Sequence, residues 1–499
     1  MITTQRTRRD FLRLSLAAGA AGLIHPTLVL GDPYRPVVHR LRRGAPIQIR
    51  GRVAAGQRGL AGVAISDGYD VVTTGPDGSY ELSSSDRQGF VFVSMPPGFE
   101  IPVGDTGVAS FFHPVAADAR GQMSADFNLQ PIEGGDTNHA FLALGDTQTQ
   151  TPYEMGRLHD ESIPDIIETL RGLGDTPVFG LACGDIMFDD LSLYPEYERA
   201  VRRINRPFFQ VVGNHDLDQD AGADPDSIRT FERHFGPSYY SFNRGEVHYV
   251  VLDDVLWHAA GYIGHVGAEQ LAWLERDLAT VEPGSLVVVF QHIPSLATEF
   301  RRNGGTQPGI SVSVTNREHV YRLLEPFDAH IISGHTHENE HVFEGGTHEH
   351  ILGTTCGAWW SDHICYDGTP NGYAIFEVAG STLKWRYKGT GMGADEQIRV
   401  YPRGSEPSAA GEIVANVWDW DPEWQVVWYE GGERRGEMAR RIGKDPLAVQ
   451  LFDGPAKPSH RTWVQPINVG HLFYAPVPEG ATDVVVEATD RFGRVYTAR

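Results

Sequence analysis

Val211-Val212-Gly213-Asn214-His215-Asp216 decides how the rest of the chain is read. The apolar run 208–212 has the length of a buried strand. It meets a glycine and then presents an amide, an imidazole and a carboxylate within three residues. A side-chain amide is a weak metal ligand alone, so its oxygen is useful where carboxylates and histidines already hold a cation. Companions of that chemistry stand at Gly145-Asp146-Thr147-Gln148, Gly184-Asp185, Gln291-His292 and Gly334-His335-Thr336-His337. Each follows an apolar run that reads as a strand, at 140–144, 178–183, 285–290 and 329–333 respectively. Potential ligands therefore collect at strand ends.

Between these runs lie stretches with helical spacing, 161–173 and 269–278, the second with Leu271, Leu274 and Leu278 on one face. Alternating strand and helix over 136–390 predicts an α/β domain, the class in which ligands gather at the carboxyl ends of strands. Two His two residues apart at a strand end can point the same way and serve adjacent ions. Carboxylates with imidazoles suit Mn, Fe, Co or Zn and do not suit Ca; the absence of Cys ligands argues against a structural zinc site. A carboxylate shared by two cations holds them about 3.5–4 Å apart, the spacing used for in-line phosphoryl displacement.

The flanks read differently. Residues 46–131 alternate apolar and polar over 47–82, carry a hairpin signal at Asp77-Gly78, and look like the small carboxypeptidase-regulatory type of β-sandwich. Residues 401–499 return to β character, with strands at 414–419, 424–429, 471–475 and 484–488 and turn signals at Asp453-Gly454 and Glu479-Gly480. A second sandwich is the simplest reading there, its tryptophans, Trp418, Trp420, Trp424 and Trp463, read as core rather than as a sugar-stacking face.

Over 499 residues, 65 acidic side chains against 42 basic ones give a net charge of -23, which repels nucleic acid and anionic membrane. A single phosphate ester is still compatible where metal ions supply local positive charge. Thr7-Arg8-Arg9-Asp10-Phe11-Leu12-Arg13 and the apolar run 14–24 resemble a twin-arginine export signal, taken as residues 1–30. That run is too short to span a bilayer, where about 20 residues are needed. The expectation is a protein exported to the periplasm or the exterior, with no membrane segment in the mature chain. Three cysteines make no disulfide framework: Cys183 belongs to a core strand, while Cys356 and Cys365 either close a short loop or stay free.

Taken in order, Asp146, Asp185, Asn214-His215-Asp216, His292 and His335-Thr336-His337 resemble the motif blocks of the calcineurin-like metallophosphoesterase family. The flanking sandwiches, and the closing run from Ala488 to Tyr496, resemble the N- and C-terminal domains of a bacterial branch of it. The resemblance implies a four-layer α+β core, two central sheets flanked by helices, with an all-β sandwich on either side. It also implies two divalent ions, of Mn, Fe, Co or Zn. Asp185 would bridge them, Asp146 and His337 would hold the first, and Asn214, His292 and His335 the second. A metal-bound hydroxide would attack phosphorus while His215, oriented by Asp216, protonates the leaving oxygen.

Two departures stand out. Gln148 occupies a position where the family usually has His, replacing imidazole by a neutral amide, or losing a ligand to water. Phe188 stands where the purple acid phosphatase branch has Tyr, so a tyrosinate-coloured ferric centre is not expected. Asp189-Asp190 either orients ligands or is a solvated loop. Substrate contacts are sought among Trp257, His258, Tyr262 and His265, at Arg301-Arg302, and at Trp359-Trp360; His341, His348 and His350 are read as surface residues. The leading expectation is an exported dinuclear hydrolase of an organic phosphate mono- or diester. The alternative is a weak or inactive envelope glycan-binding protein on a degenerate phosphoesterase scaffold, a reading favoured only by Gln148.

Overall fold

The computed structural model describes residues 44–455 and 457–499, so the export signal expected in 1–30 lies outside the described residues. Two sheets form the centre. The first runs in the order Phe208–Gln210, Val178–Ala182, Asn138–Leu144, Gly372–Ala379, Thr382–Gly389. Its first three strands are parallel and the last two antiparallel. The second runs Tyr240–Arg244, Val247–Val251, Leu286–Phe290, Asp328–Ser333, Thr347–Ile351, Glu340–Glu344. Its four inner strands are parallel and both edge strands antiparallel. Parallel strands such as Val178–Ala182 and Leu286–Phe290 read as unbroken apolar runs because a parallel sheet is covered on both faces.

Aromatic side chains from the facing surfaces interlock between the sheets. Phe141 meets Tyr249 and Phe290 edge-on, each at 5.6 Å, and Phe209 stacks on Phe242 at 4.2 Å. Offset and edge-to-face contacts of this kind add to the stabilisation from burial alone. Amphipathic helices Ile163–Gly172, Tyr194–Ile204, Ala268–Leu278 and Arg317–Leu324 bury one face each, the first through Ile163, Ile166 and Leu170. The helix expected over 161–173 starts as a wider π-helical turn, Leu158–Ser162, just before Pro164, which has no N–H to donate. The four-layer α+β class expected of the core is observed.

The N-terminal β-region corrects one detail. Asp77-Gly78 does not join a hairpin: Val71–Thr73 pairs back on Ala64–Ser66, whereas Ser79–Ser85 pairs with Pro46–Ala55 in the other sheet. Gly78 makes this crossing possible, since its φ is +83° and a Cβ there would lie 2.3 Å from the Val53 carbonyl oxygen. Phe111 packs on Tyr240 at 4.6 Å and Trp273 donates to Ser66 at 3.1 Å, so this region shares its core with the second central sheet. The C-terminal region has two four-stranded sheets around Val417, Trp428, Phe473 and Val486. It also holds a helix, Pro446–Phe452, capped by Asp445, within a stretch expected to be all β. Trp418 is buried and Trp420 and Trp424 pack on that core, but Trp463 is 52% exposed. Among the described residues no helix is long and apolar enough to cross a membrane.

Candidate metal centre

The strand ends named by the sequence converge. Asp146, Asp185, His292 and His337 are almost wholly buried, and one ligand atom each from Asp185, His292 and His335 lies within 4.8 Å of the others. His292 Nε2 is 3.2 Å from Asp185 Oδ1, 3.1 Å from Asn214 Oδ1 and 3.1 Å from His335 Nδ1. On the other side His337 Nε2 stands 3.9 Å from Asp146 Oδ1.

Each of these imidazoles is fixed by a backbone carbonyl on its far nitrogen. His292 Nδ1 donates to the Cys183 oxygen at 2.8 Å, His335 Nε2 to the Ser311 oxygen at 2.9 Å, and His337 Nδ1 to the Gly357 oxygen at 2.7 Å. A carbonyl can only accept, so a hydrogen sits on that nitrogen and the other nitrogen of each ring turns towards the cluster. The donor set thus fits divalent ions of the borderline class.

The loops that present these groups are tightly bent. Among the described residues eleven non-glycine residues have positive φ, and seven belong to this neighbourhood: Gln148, Asp185, Asp189, His335, His337, Trp359 and Trp360. Such strain persists where the surroundings over-determine it, typically at functional sites. Glycine appears where even a Cβ has no room. At Gly213 it would fall 2.0 Å from the Asp185 nitrogen, and at Gly334 it would fall 2.6 Å from Asp146 Oδ2.

Charge follows the geometry. Burial lifts Asp146 up to about 8, with the Asp185 charge adding and His292 opposing. Burial pulls His292 down, but Asp185 and Asp146 more than reverse it, to about 10. Burial takes His335 down to about 3 and His337 down to about 4, leaving both imidazoles neutral. His335 and His337 already carry the neutral state that binds a cation, whereas His292 and Asp146 must each give up a proton to do so, which makes binding pH-dependent.

Gln148 is at the site, buried, and its Nε2 donates to Asp185 Oδ2 at 3.2 Å; its oxygen accepts from Cys356 Sγ at 3.9 Å. His215 lies outside the donor set, with its backbone N–H on Asp185 Oδ1 at 2.8 Å and Phe188 edge-on at 4.5 Å. Its expected partner is corrected. Asp216 accepts instead from the backbone N–H groups of Ile186, Met187 and Gly213 and from the Tyr194 hydroxyl, so its carboxylate ties two loops together. Asp189 takes the orienting place, its Oδ1 2.6 Å from His215 Nδ1, while its own N–H donates to the His215 oxygen. Burial lowers His215, but Asp185 and this Asp189 bond outweigh it and leave the imidazole above its ordinary range.

The aromatic and arginine expectations divide. Tyr262 meets His335 edge-on at 6.1 Å, and Trp359 stacks on His337 at 4.0 Å and makes a tilted contact with Trp463 at 4.6 Å. Trp360 is core, donating to the Thr147 oxygen, and Trp257 donates to the Ala221 oxygen. Arg302 is locked between Glu338 and Glu340, and Arg301 pairs with Glu344. Cys183, Cys356 and Cys365 are free and buried. The Trp463 contact was beyond sequence reasoning, because it joins positions about a hundred residues apart.

Residues 139–339 match the family model described as calcineurin-like phosphoesterase. The chain carries a calcineurin-like phosphoesterase domain. Its flanks match that family's N-terminal model over 47–132 and its C-terminal model over 349–496. The "Serine/threonine-protein phosphatase CPPED1" of Homo sapiens is 24% identical over 195 residues, 37% of this chain and 60% of that protein. The protein of the same name from Danio rerio is 28% identical over 198 residues, at the same coverage. The chain thus spans about 60% of the length of these curated relatives. Among solved structures, a purple acid phosphatase from yellow lupin seeds overlaps 69% of this chain and 72% of its own, at 13% identity and a TM-score of 0.37. PhoD overlaps 78% of this chain and 86% of its own, at 10% identity and a TM-score of 0.35.

Proposed function

We propose that the chain is a metal-dependent phosphoesterase that hydrolyses an organic phosphate mono- or diester. The observation that carries this reading is the set of three carbonyl-pinned imidazoles whose other nitrogens turn inward, His292 on Asp185 and Asn214, His335 beside His292, and His337 towards Asp146. In this reading Asp146, Gln148, Asp185 and His337 hold one divalent ion, and Asp185, Asn214, His292 and His335 the other. The ions supply Lewis-acid charge at the phosphoryl group and an acidified water. His215 stands beside that set, keeps its proton through Asp189, and gives it to the departing oxygen. Trp359, Trp463 and Tyr262 offer apolar surface to the organic part of the ester. The relatives' printed name, serine/threonine-protein phosphatase, supports the monoester side. The N-terminal run around Arg8-Arg9 supports export.

The test pairs metal content with activity. Wild type should hold two ions at this centre and hydrolyse aryl and alkyl phosphates, and His215→Ala should keep the ions and lose turnover. Full metal occupancy with no hydrolysis of any mono- or diester would refute the reading.

A further inference from the structure

We propose that His330, His348 and His350, with His341, form a second metal site, distinct from the phosphoesterase centre, that takes a divalent ion of the zinc, copper, nickel or cobalt class. The histidines read as surface residues from the sequence are not on the surface: His348 and His350 are buried, and the His341 side chain is 4% exposed. Strand register assembles them. His330 is paired with His348, and His350 with His341, across three neighbouring strands, which places four imidazoles side by side on one face of the second sheet.

The rings crowd one another. His348 stacks on His350 at 4.1 Å, and Trp385 covers both, at 5.0 and 4.6 Å. One ring nitrogen each from His330, His348 and His350 lies within 4.8 Å of the others. His330 Nδ1 and His350 Nε2 are 2.9 Å apart. Nitrogens sharing a tetrahedral ion at about 2.0–2.1 Å lie about 3.3–3.4 Å apart, so small ring rotations suffice to close the set.

Three further features point to an ion. His350 Nδ1 is buried and has no hydrogen-bond partner, a costly state for a ring nitrogen without a ligand. His341 Nε2 is held by Asp419 Oδ1 at 2.9 Å, which aims Nδ1 into the cluster in the carboxylate–histidine arrangement of metal sites. Burial takes His330 down to about 4 and His348 and His350 lower still, so their lone pairs are free at neutral pH. The nearby cation, Arg491, is itself paired with Asp421 and Glu423. His341 also lines a cleft of about 240 Å³, together with Glu340, Arg302, Arg440 and His471.

All-imidazole donors select Zn, Cu, Ni or Co and reject Mg and Ca. The site is separate from the other centre: His330 lies three residues, about 10 Å, before the carboxyl end of the strand Asp328–Ser333, and His335 follows that end in a left-handed turn. Asp419 and Trp385 belong to the C-terminal region and the first sheet, so an ion here joins three parts of the fold.

The full-length protein is stripped with a chelator and titrated with Zn(II) and, separately, with Cu(II). A double variant, Asp185→Asn/His292→Ala, removes the phosphoesterase centre, and activity is not the readout. That variant should bind one ion per chain, show nitrogen-only equatorial coordination to Cu(II) by electron paramagnetic resonance, and melt at a higher temperature with Zn(II). Adding His348→Gln and His350→Gln should abolish all three. If the four-site variant does not fold, the resonance spectrum of the double variant decides alone. No bound ion in the double variant, or oxygen-dominated coordination, would leave four imidazoles as a hydrogen-bonded stack and overturn the proposal.

Discussion

At the residue scale the chemistry turns on His215 and Asp189. If His215 protonates the leaving oxygen, its removal matters most where that oxygen leaves poorly. His215→Ala should lower kcat by about 10²–10⁴-fold on an alkyl phosphate and much less on an aryl phosphate, with KM and metal content little changed. Equal losses on both substrates would instead assign His215 to holding the site together. Asp189 acts through His215, 2.6 Å away, so it is a positioning residue. Asp189→Asn should lower kcat less than His215→Ala and add nothing in the double variant, whereas additive losses would separate the two roles. The pairing was only half legible beforehand. Asp189-Asp190 stood out as a possible orienting group, but the backbone turn that aims one carboxylate at His215 is set by a positive φ that composition does not reveal.

At the element scale the loops after the strands act as one block, stitched by Asp216. Its carboxylate satisfies three backbone N–H groups and a tyrosine hydroxyl, all buried. Asp216→Ala would strand those donors and should cost about 3 kcal/mol or more in urea unfolding. An unchanged midpoint would mean that solvent replaces the carboxylate. The adjacent glycine is as sensitive. Gly213→Ala places a methyl group 2.0 Å from the Asp185 nitrogen, so the loop must shift and overpacking should cost about 1–3 kcal/mol. Because Asp185 is displaced, metal content should fall in the same variant, which elemental analysis of the purified protein checks. The sequence did show that these glycines stand between strand and ligand. Which atom each one spares could be seen only once the loops were folded against each other.

At the scale of the whole molecule, His139 joins the two central sheets, with Nδ1 on the Asp136 oxygen at 2.8 Å and Nε2 on the Tyr249 hydroxyl at 2.5 Å. Burial lowers it from its ordinary 6.5 to about 4, so it is neutral in the fold and takes up a proton more readily when unfolded. Its contribution is therefore fully present above about pH 6.5 and is lost as the pH falls towards 4, by about 3 kcal/mol. His139→Gln should flatten that part of the stability profile relative to wild type, measured by unfolding at pH 4.5 and 7. Parallel profiles would show that the proton is bound elsewhere.

The order of the ligand blocks, and their position after apolar runs, were determined by local sequence, because strand patterning and glycine turns act over a few neighbouring residues. Hence Asp146, Asp185, Asn214, His292, His335 and His337 and the α/β class could be named without coordinates. What tertiary structure alone decided rests on long-range register and burial. It put Asp189 rather than Asp216 on His215, and it sent the chain across the N-terminal sandwich at Gly78. It placed Trp463 beside Trp359, and it turned His330, His341, His348 and His350 from scattered polar positions into one buried cluster. A strand's sequence sets which residues share its face, but only its pairing partners set which side chains from other strands arrive there.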